Sequence, residues 1–571
     1  MTGSLRLLLE DFLGLMREEG ELDTFLPLLM SAMGHEVVYR AQKGTRQYGV
    51  DIVSVGTDGT GASTLFLWLV KCGDIGRQEW NSGPQSIRQS IDDVGDVYLR
   101  SHIAPEHRKL RKKLLVVTNG DFGSNLNETI AAYLETWCRA KKVDAEQVNG
   151  SKLAAWTEKY LLDEYVLPSE SRAKFRRMLA NVDHPDLAIS VGRNFIDKML
   201  GDATVPARSR AAVMKRLLTG LRGIRTALQV LFVWSVHEDN LTVVYTLSQY
   251  AILATWSRLY RELESGNAKV AIEFTALLVW LADVAENYHQ RMDAYYVVQD
   301  AFANALPENL LVSRAVFDEL GKLAQQGCFF AFKAKVIGDV NLELAALRYA
   351  DRVKALLQSH SCSALPAFDY QSVNVHAALL LLVAVGECDI AQAWVIKMCQ
   401  RLFDATVARR FMPMSSASFE DALEVRSGDH EIVEEFCSTS ILLPILFAWT
   451  AALGMKEAYA FLRSKVVPRL GGTTPNIWSS EQGFDDAVGC GQMLHEHGIG
   501  EALMDFPEEP DAFLRTMSEG LAGVDGIENS SWYRLRAPYI PLLAALHWRS
   551  QLPREMLFRQ AVAFAGHPLA N

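Results

Sequence analysis

The chain has 571 residues, too many for one ordinary hydrophobic core, so two or more domains are expected. Its 49% hydrophobic and 22% charged residues, with a mean hydropathy of +0.04, exclude a disordered or collagen-like chain. A formal net charge of -11 excludes a protein that coats nucleic acid through overall positive charge, and leaves only the local basic clusters 107–113 (HRKLRKK), 172–177 (RAKFRR) and 208–225.

Each cluster reads first as a solvated face and second as a phosphate contact. The eight cysteines show no CxxC pair or finger spacing, so a reduced, cytoplasmic setting is expected. Residues 5–21 are amphipathic and acidic, unlike a signal peptide. The longest apolar run, 440–455, falls short of the roughly 20 residues that span a bilayer and contains Pro444. A buried helix, and no membrane partner, is the expectation.

In chain order, apolar spacing predicts helices over 5–16 and 22–33. Strands follow at 36–41 (EVVYRA), 48–55 (YGVDIVSV) and 64–71 (TLFLWLVK), separated by glycine-bearing loops. The loop at 56–61 (GTDGTG) lacks the lysine of a phosphate-binding loop and reads as a hairpin. A helix at 85–99, a buried strand at 113–118 and a helix at 125–139 come next; 143–148 and 153–162 add a strand and a closing helix. Three antiparallel strands with a right-handed crossover to a parallel fourth make an α/β sandwich. Beyond Pro168 the pattern is helical without a fixed repeat, so the expected fold class is an α/β N-terminal domain (1–167) followed by a large all-α region (168–571). A polar, Ser-rich stretch at 411–429 marks a possible division of that region.

Asp51 and Lys71 fall on neighbouring strands, where their side chains can converge. A carboxylate that holds Mg²⁺ and an ammonium that positions water and offsets charge are what metal-dependent phosphodiester hydrolysis requires. Three segments carry a family resemblance. The predicted helix 22–33 runs into Gly34-His35-Glu36-Val37; Gln47-Tyr48-Gly49-Val50-Asp51-Ile52 forms a Gly-x-Asp-hydrophobic strand; and Leu69-Val70-Lys71 occupies the place of a (D/E/Q)xK strand. In this the N-terminal region resembles the PD-(D/E)xK superfamily, and within it the Mrr-like restriction endonucleases. The resemblance covers roughly the first 150 to 165 residues. It implies a restriction-endonuclease-like fold, Mg²⁺ or Mn²⁺ as cofactor, DNA as substrate, Asp51 and the Val70 carbonyl as metal ligands, and Lys71 as catalytic lysine. Asp23, eleven residues before Gly34, stands where the family often has a glutamate, and reads equally as a solvated acid at a helix start.

One departure matters. Leu69 shares a strand face with Lys71, where the family carries an acid or glutamine. Asp23, Glu36 or Asp74 is left to supply a second carboxylate. Gln85, Arg88 and Gln89, at helical spacing after Lys71, are candidates to meet DNA or simply a polar helix face; Cys72 reads as a core thiol. His495 and His497 point to different helix faces and have no partner at ligand spacing.

The expectation is a Mg²⁺-dependent endonuclease, a regulated effector of prokaryotic anti-phage or anti-plasmid defence by fold-level analogy, with a helical region that senses, binds a protein partner or forms a homo-oligomer. The alternative is a catalytically inactive nuclease-fold module that binds nucleic acid or protein beside a helical scaffold. An Asp51–Lys71 salt bridge in such an inactive fold would account for both residues structurally.

Overall fold

The computed structural model describes residues 9–10, 13–14, 16, 22–40, 48–82, 86–161, 169–201, 210–407, 413–415, 418–427, 436–470, 473–480, 483–496, 498–502, 506–518 and 527–567. The chain forms two compact units, 1–243 and 244–571.

The first unit is built on a five-stranded sheet with order β1-β2-β3-β4-β5, made of Glu36–Arg40, Ile52–Thr57, Ser63–Lys71, Arg111–Thr118 and Asp144–Val148. β1 to β3 form an antiparallel meander, and β4 lies parallel to β3, with Leu67 beside Leu114 and Lys71 beside Thr118. β5 extends the parallel part. The mixed α/β sheet and crossover therefore follow the predicted order. β3 is buried continuously from Thr64 to Val70 because helices cover both of its faces, which is why its sequence is apolar without alternation.

On one face Leu65, Leu67 and Leu69 share a core with Ile87 and Ile91 of the helix Ile87–Asp93, and with Ile130 and Leu134 of Asn127–Lys141. On the other, the His35 ring stacks on Phe66 at 4.5 Å, and Trp68 meets Trp156 edge-on. His35 leads out of the helix Asp23–Ala32 and sits over Gly56; a Cβ at that glycine would come within 2.2 Å of the imidazole. Its Nδ1 lies 3.2 Å from the Ser54 hydroxyl, which also accepts from the Trp68 indole.

The 56–61 segment is the expected hairpin loop. Asp58 accepts from the Thr60 hydroxyl and from the Thr60 and Ala62 amides, bonds that hold its carboxyl down at about 2. Elsewhere the elements differ from the pattern. The second strand starts at Ile52, not Tyr48, because Tyr48 and Gly49 take left-handed φ values of 48° and 78°. The helix expected at 85–99 is the run Ile87–Asp93, Val94–Tyr98 and Leu99–Ser101, preceded by the short helix Arg77–Asn81. The first unit also includes the helices Ser169–Leu179, Pro185–Leu200 and Arg210–His237.

The second unit is largely helical. Asn309–Ile337 packs against Val340–Ser359, Ser372–Ala384 and Tyr539–Trp548. The apolar run at 440–455 yields Leu442–Ala452, buried along its whole length, as a helix that is hydrophobic all round must be. No helix among the described residues is long and apolar enough to cross a membrane. The region is not wholly α-helical, which corrects the expectation. Thr439–Ser440, Thr474–Ser480 and Gly498–Ala502 form a three-stranded sheet, β6-β7-β8. Two of these strands are short, and Pro475 and the polar residues of the third suppress any alternating pattern. Within 411–429, Phe419–Ser427 is a helix, and Met414, Ala422 and Val425 share a core with Leu310 and Phe368.

Inside this unit a charged group is fully enclosed. Glu319 accepts from the Tyr288 hydroxyl at 2.6 Å, the Tyr296 hydroxyl at 2.8 Å and Lys322 Nζ at 2.7 Å. With the Tyr296 proton given to Glu319, His289 Nδ1, 2.7 Å away, donates to the Tyr296 oxygen. Removing one member would strand a buried charge, at a cost of about 3–5 kcal/mol.

Candidate functional site

The carboxy ends of β3 and β4 and the start of β2 meet at one edge of the sheet. Asp51 stands one residue before β2 rather than within it: its amide donates to the Trp68 carbonyl at 2.9 Å, which sets it opposite Leu69. Its carboxylate Oδ2 accepts from the Val70 amide at 2.7 Å and so replaces a backbone carbonyl at the end of the ladder. A charge-assisted bond of this kind is worth about 1.5–3 kcal/mol.

The turn before Asp51 is held from above. A Cβ on Gly49 would lie 2.1 Å from the Ser90 carbonyl oxygen, so only glycine lets the helix Ile87–Asp93 sit this close to the Asp51 loop. Lys71, half-buried, closes β3 one peptide beyond Val70 and forms no ion pair among the described residues. The Asp51–Lys71 salt bridge that a purely structural pairing calls for is not formed.

The turns after β3 and β4 are laced together beside these residues. Thr118 Oγ1 donates to the Gly73 carbonyl at 2.5 Å, and Asn119 Oδ1 accepts from the Gly73 amide at 2.7 Å. Asn119 Nδ2 donates to the Leu13 and Met16 carbonyls. The sequence pattern did not single out Asn119, just past the strand expected at 113–118, although a buried asparagine there signals a bracing role. Asp74 accepts from the Asp121 amide at 2.8 Å, and Asp121 accepts from Asn149 at 2.8 Å.

The other predicted residues are dispersed. Leu69 is 1% exposed and packs in the core with Ile87 and Ile91, so the position where the resemblance expects an acid is interior. Glu36 pairs with Val55, four residues along β2 from Asp51 and about 13 Å away at strand rise. Asp23 is exposed in the first turn of its helix. The Arg88 guanidinium lies 5.0 Å from the centre of the Tyr133 ring, Gln89 is exposed, and Gln85 lies outside the described residues. Cys72 is exposed, not a core thiol, because the chain has already left the sheet; its thiol donates to the Met16 carbonyl at 3.2 Å. The His495 side chain and His497 also lie outside the described residues.

The basic run 107–113 does not flank this edge. Arg111 begins β4 beside Thr64, at the far end of the strands, and lies 3.9 Å from Asp58. Lys113 pairs with Glu146 at 2.5 Å, and Lys112 donates to the Arg108 and Leu110 carbonyls.

Among the described residues no three His, Cys, Asp or Glu side chains converge as a metal group. Asp51 is the carboxylate bonded to the β3 end at this edge, and a Mg²⁺ that keeps most of its waters can be held through a single carboxylate. No family model, curated protein or solved structure matches the chain.

Proposed function

We propose that the first unit is a metal-dependent endonuclease that hydrolyses DNA phosphodiester bonds, with Asp51 and Lys71 at its centre. The observation that carries this reading is the Asp51 carboxylate fixed on the Val70 amide beside a lysine that forms no ion pair among the described residues. Asp51, together with the Val70 carbonyl, would hold the divalent cation. When bound, such an ion supplies charge stabilisation for the phosphoryl transition state. Lys71 donates hydrogen bonds to the attacking water and offsets charge on the phosphoryl oxygens as the P–O bond to the leaving group breaks. Leu69 is interior and supplies no carboxylate there, so the attacking water gives its proton to bulk solvent while solvent protonates the departing oxygen.

The burial of Leu69 favours a second reading, a module that binds DNA without cutting it. Plasmid DNA incubated with the full chain and Mg²⁺ or Mn²⁺ separates the two. The nuclease reading expects nicking or linearisation that Asp51→Asn and Lys71→Ala both abolish. Retention of DNA with no cleavage, or cleavage unchanged in both variants, refutes it.

A further inference from the structure

A cavity of about 550 Å³ opens in the second unit, between the end of the helix Asn309–Ile337, the short helix Ser531–Arg534 and the helix Arg554–Phe564. That volume suits a small organic ligand. Its walls are divided by chemistry. Phe332, Trp532 and Met556 are buried and form an apolar floor, while Tyr533 stands 41% exposed at the mouth.

The rim is cationic in a chain whose net charge is -11. Two of its four basic residues are neutralised: Arg559 pairs with Glu528 at 3.0 Å, and Arg534 with Glu264. Lys335 and Arg536 form no ion pair among the described residues. Lys335 Nζ lies 4.6 Å from the centre of the Phe564 ring, which holds it at the wall of the cavity, and Arg536, which also lines it, keeps a left-handed φ of 52°. A non-glycine residue in that region is uncommon.

The wall also carries an unsatisfied amide. Neither Nε2 nor Oε1 of Gln560 has a hydrogen-bond partner among the described residues, though both are shut off from water. Leaving such groups unpaired costs about 1–3 kcal/mol each. Rotation of this flexible side chain toward the cavity presents one donor and one acceptor side by side, the pattern that reads a nucleobase edge.

We propose that this cavity binds a mononucleotide: the base against Tyr533 and the apolar floor, its edge paired with Gln560, and its phosphate between Lys335 and Arg536. An aromatic ring tolerates any base as a stacking partner, and two unpaired cations select the phosphorylated form. The proposal is independent of the nuclease reading of the first unit.

Titration calorimetry of the full chain with AMP, GMP, adenosine and inorganic phosphate tests it. AMP or GMP is expected to bind at least about tenfold more tightly than either adenosine or phosphate. Lys335→Ala combined with Arg536→Ala should cost the nucleotide about tenfold or more and leave adenosine unchanged. Both residues are exposed, so the variant keeps its fold. Gln560→Leu should weaken AMP and adenosine alike. Absence of binding by both nucleotides at about 1 mM, phosphate bound as tightly as AMP, or a double variant that binds like wild type each overturns the proposal.

Discussion

The Asp51 carboxylate accepts the Val70 amide at 2.7 Å, and Lys71, the next residue, takes no part in an ion pair among the described residues. The carboxylate is bonded into the sheet and the lysine has no ion pair there, so substitutions at the two positions should behave differently. Asp51→Ala should remove activity and about 1–3 kcal/mol of stability, because the Val70 amide loses its acceptor. Lys71→Met should reduce cleavage by about 10²-fold or more and leave stability within about 0.5 kcal/mol. Urea unfolding beside a cleavage assay reads both. A Lys71→Met chain destabilised as much as Asp51→Ala would return the lysine to a structural role.

Leu69 makes the opposite case. It is 1% exposed among Ile87, Ile91, Leu67 and Val53. Leu69→Ala should cost about 2–5 kcal/mol through lost burial and the cavity left behind. Leu69→Glu, which puts an acid where the PD-(D/E)xK pattern has one, should unfold the unit instead of raising activity, since a buried unpaired carboxylate is costlier still. Circular dichroism and the plasmid assay decide this. A folded Leu69→Glu chain that cuts faster would show that the side chain reaches the site.

Much of this was legible in the sequence, because burial writes a period into strands. The runs 36–41 and 64–71 located β1 and β3 to within a residue or two, and glycines marked the loops. The start of β2 was misplaced because Tyr48 and Gly49 have strand-compatible neighbours, and only the Ser90 carbonyl pressing on Gly49 fixes the turn. Alternation assigned Leu69 to the face of Lys71 without revealing that a helix buries it. The short sheet at Thr474–Ser480 left no pattern, and the Glu319 cluster draws its partners from separate helices. Contacts distant in sequence have no local period to read.

Gly49 tests the scaffold. Its φ of 78° and the 2.1 Å approach of the Ser90 oxygen make any Cβ a clash with backbone, which cannot yield as a side chain would. Gly49→Ala should destabilise the first unit by about 1–3 kcal/mol and push the helix Ile87–Asp93 away from Asp51. Cleavage should fall even under conditions where the variant is fully folded. Stability equal to wild type in urea would mean that the loop and helix are not tied as described.

Three buried groups of the second unit titrate in opposing senses. Burial pushes His289 and His376 each down to about 3, and pushes Asp369 up to about 7. The Trp449 indole donates to His376 Nδ1 at 3.1 Å, so a proton there would meet another N–H. An unfolded histidine binds its proton near pH 6.5, so the histidine contribution is complete above that pH and falls as pH drops toward 3. Asp369 works in the other direction: it holds a proton in the folded chain that the unfolded chain has released, so its contribution falls as pH rises from about 4 to 7. Between about pH 6 and 4.5, the two protons that these histidines take up on unfolding are opposed by the one that Asp369 releases. Asp369→Asn keeps an acceptor for the Ile441 amide, bonded at 2.6 Å, and removes the opposing titration. Its stability should therefore fall with acid more steeply than wild type, by about 1.4 kcal/mol per pH unit, the slope of the one proton removed from the balance. Urea midpoints of the second unit's transition, taken across that range, measure both slopes; identical slopes would place Asp369 in its ionised form throughout.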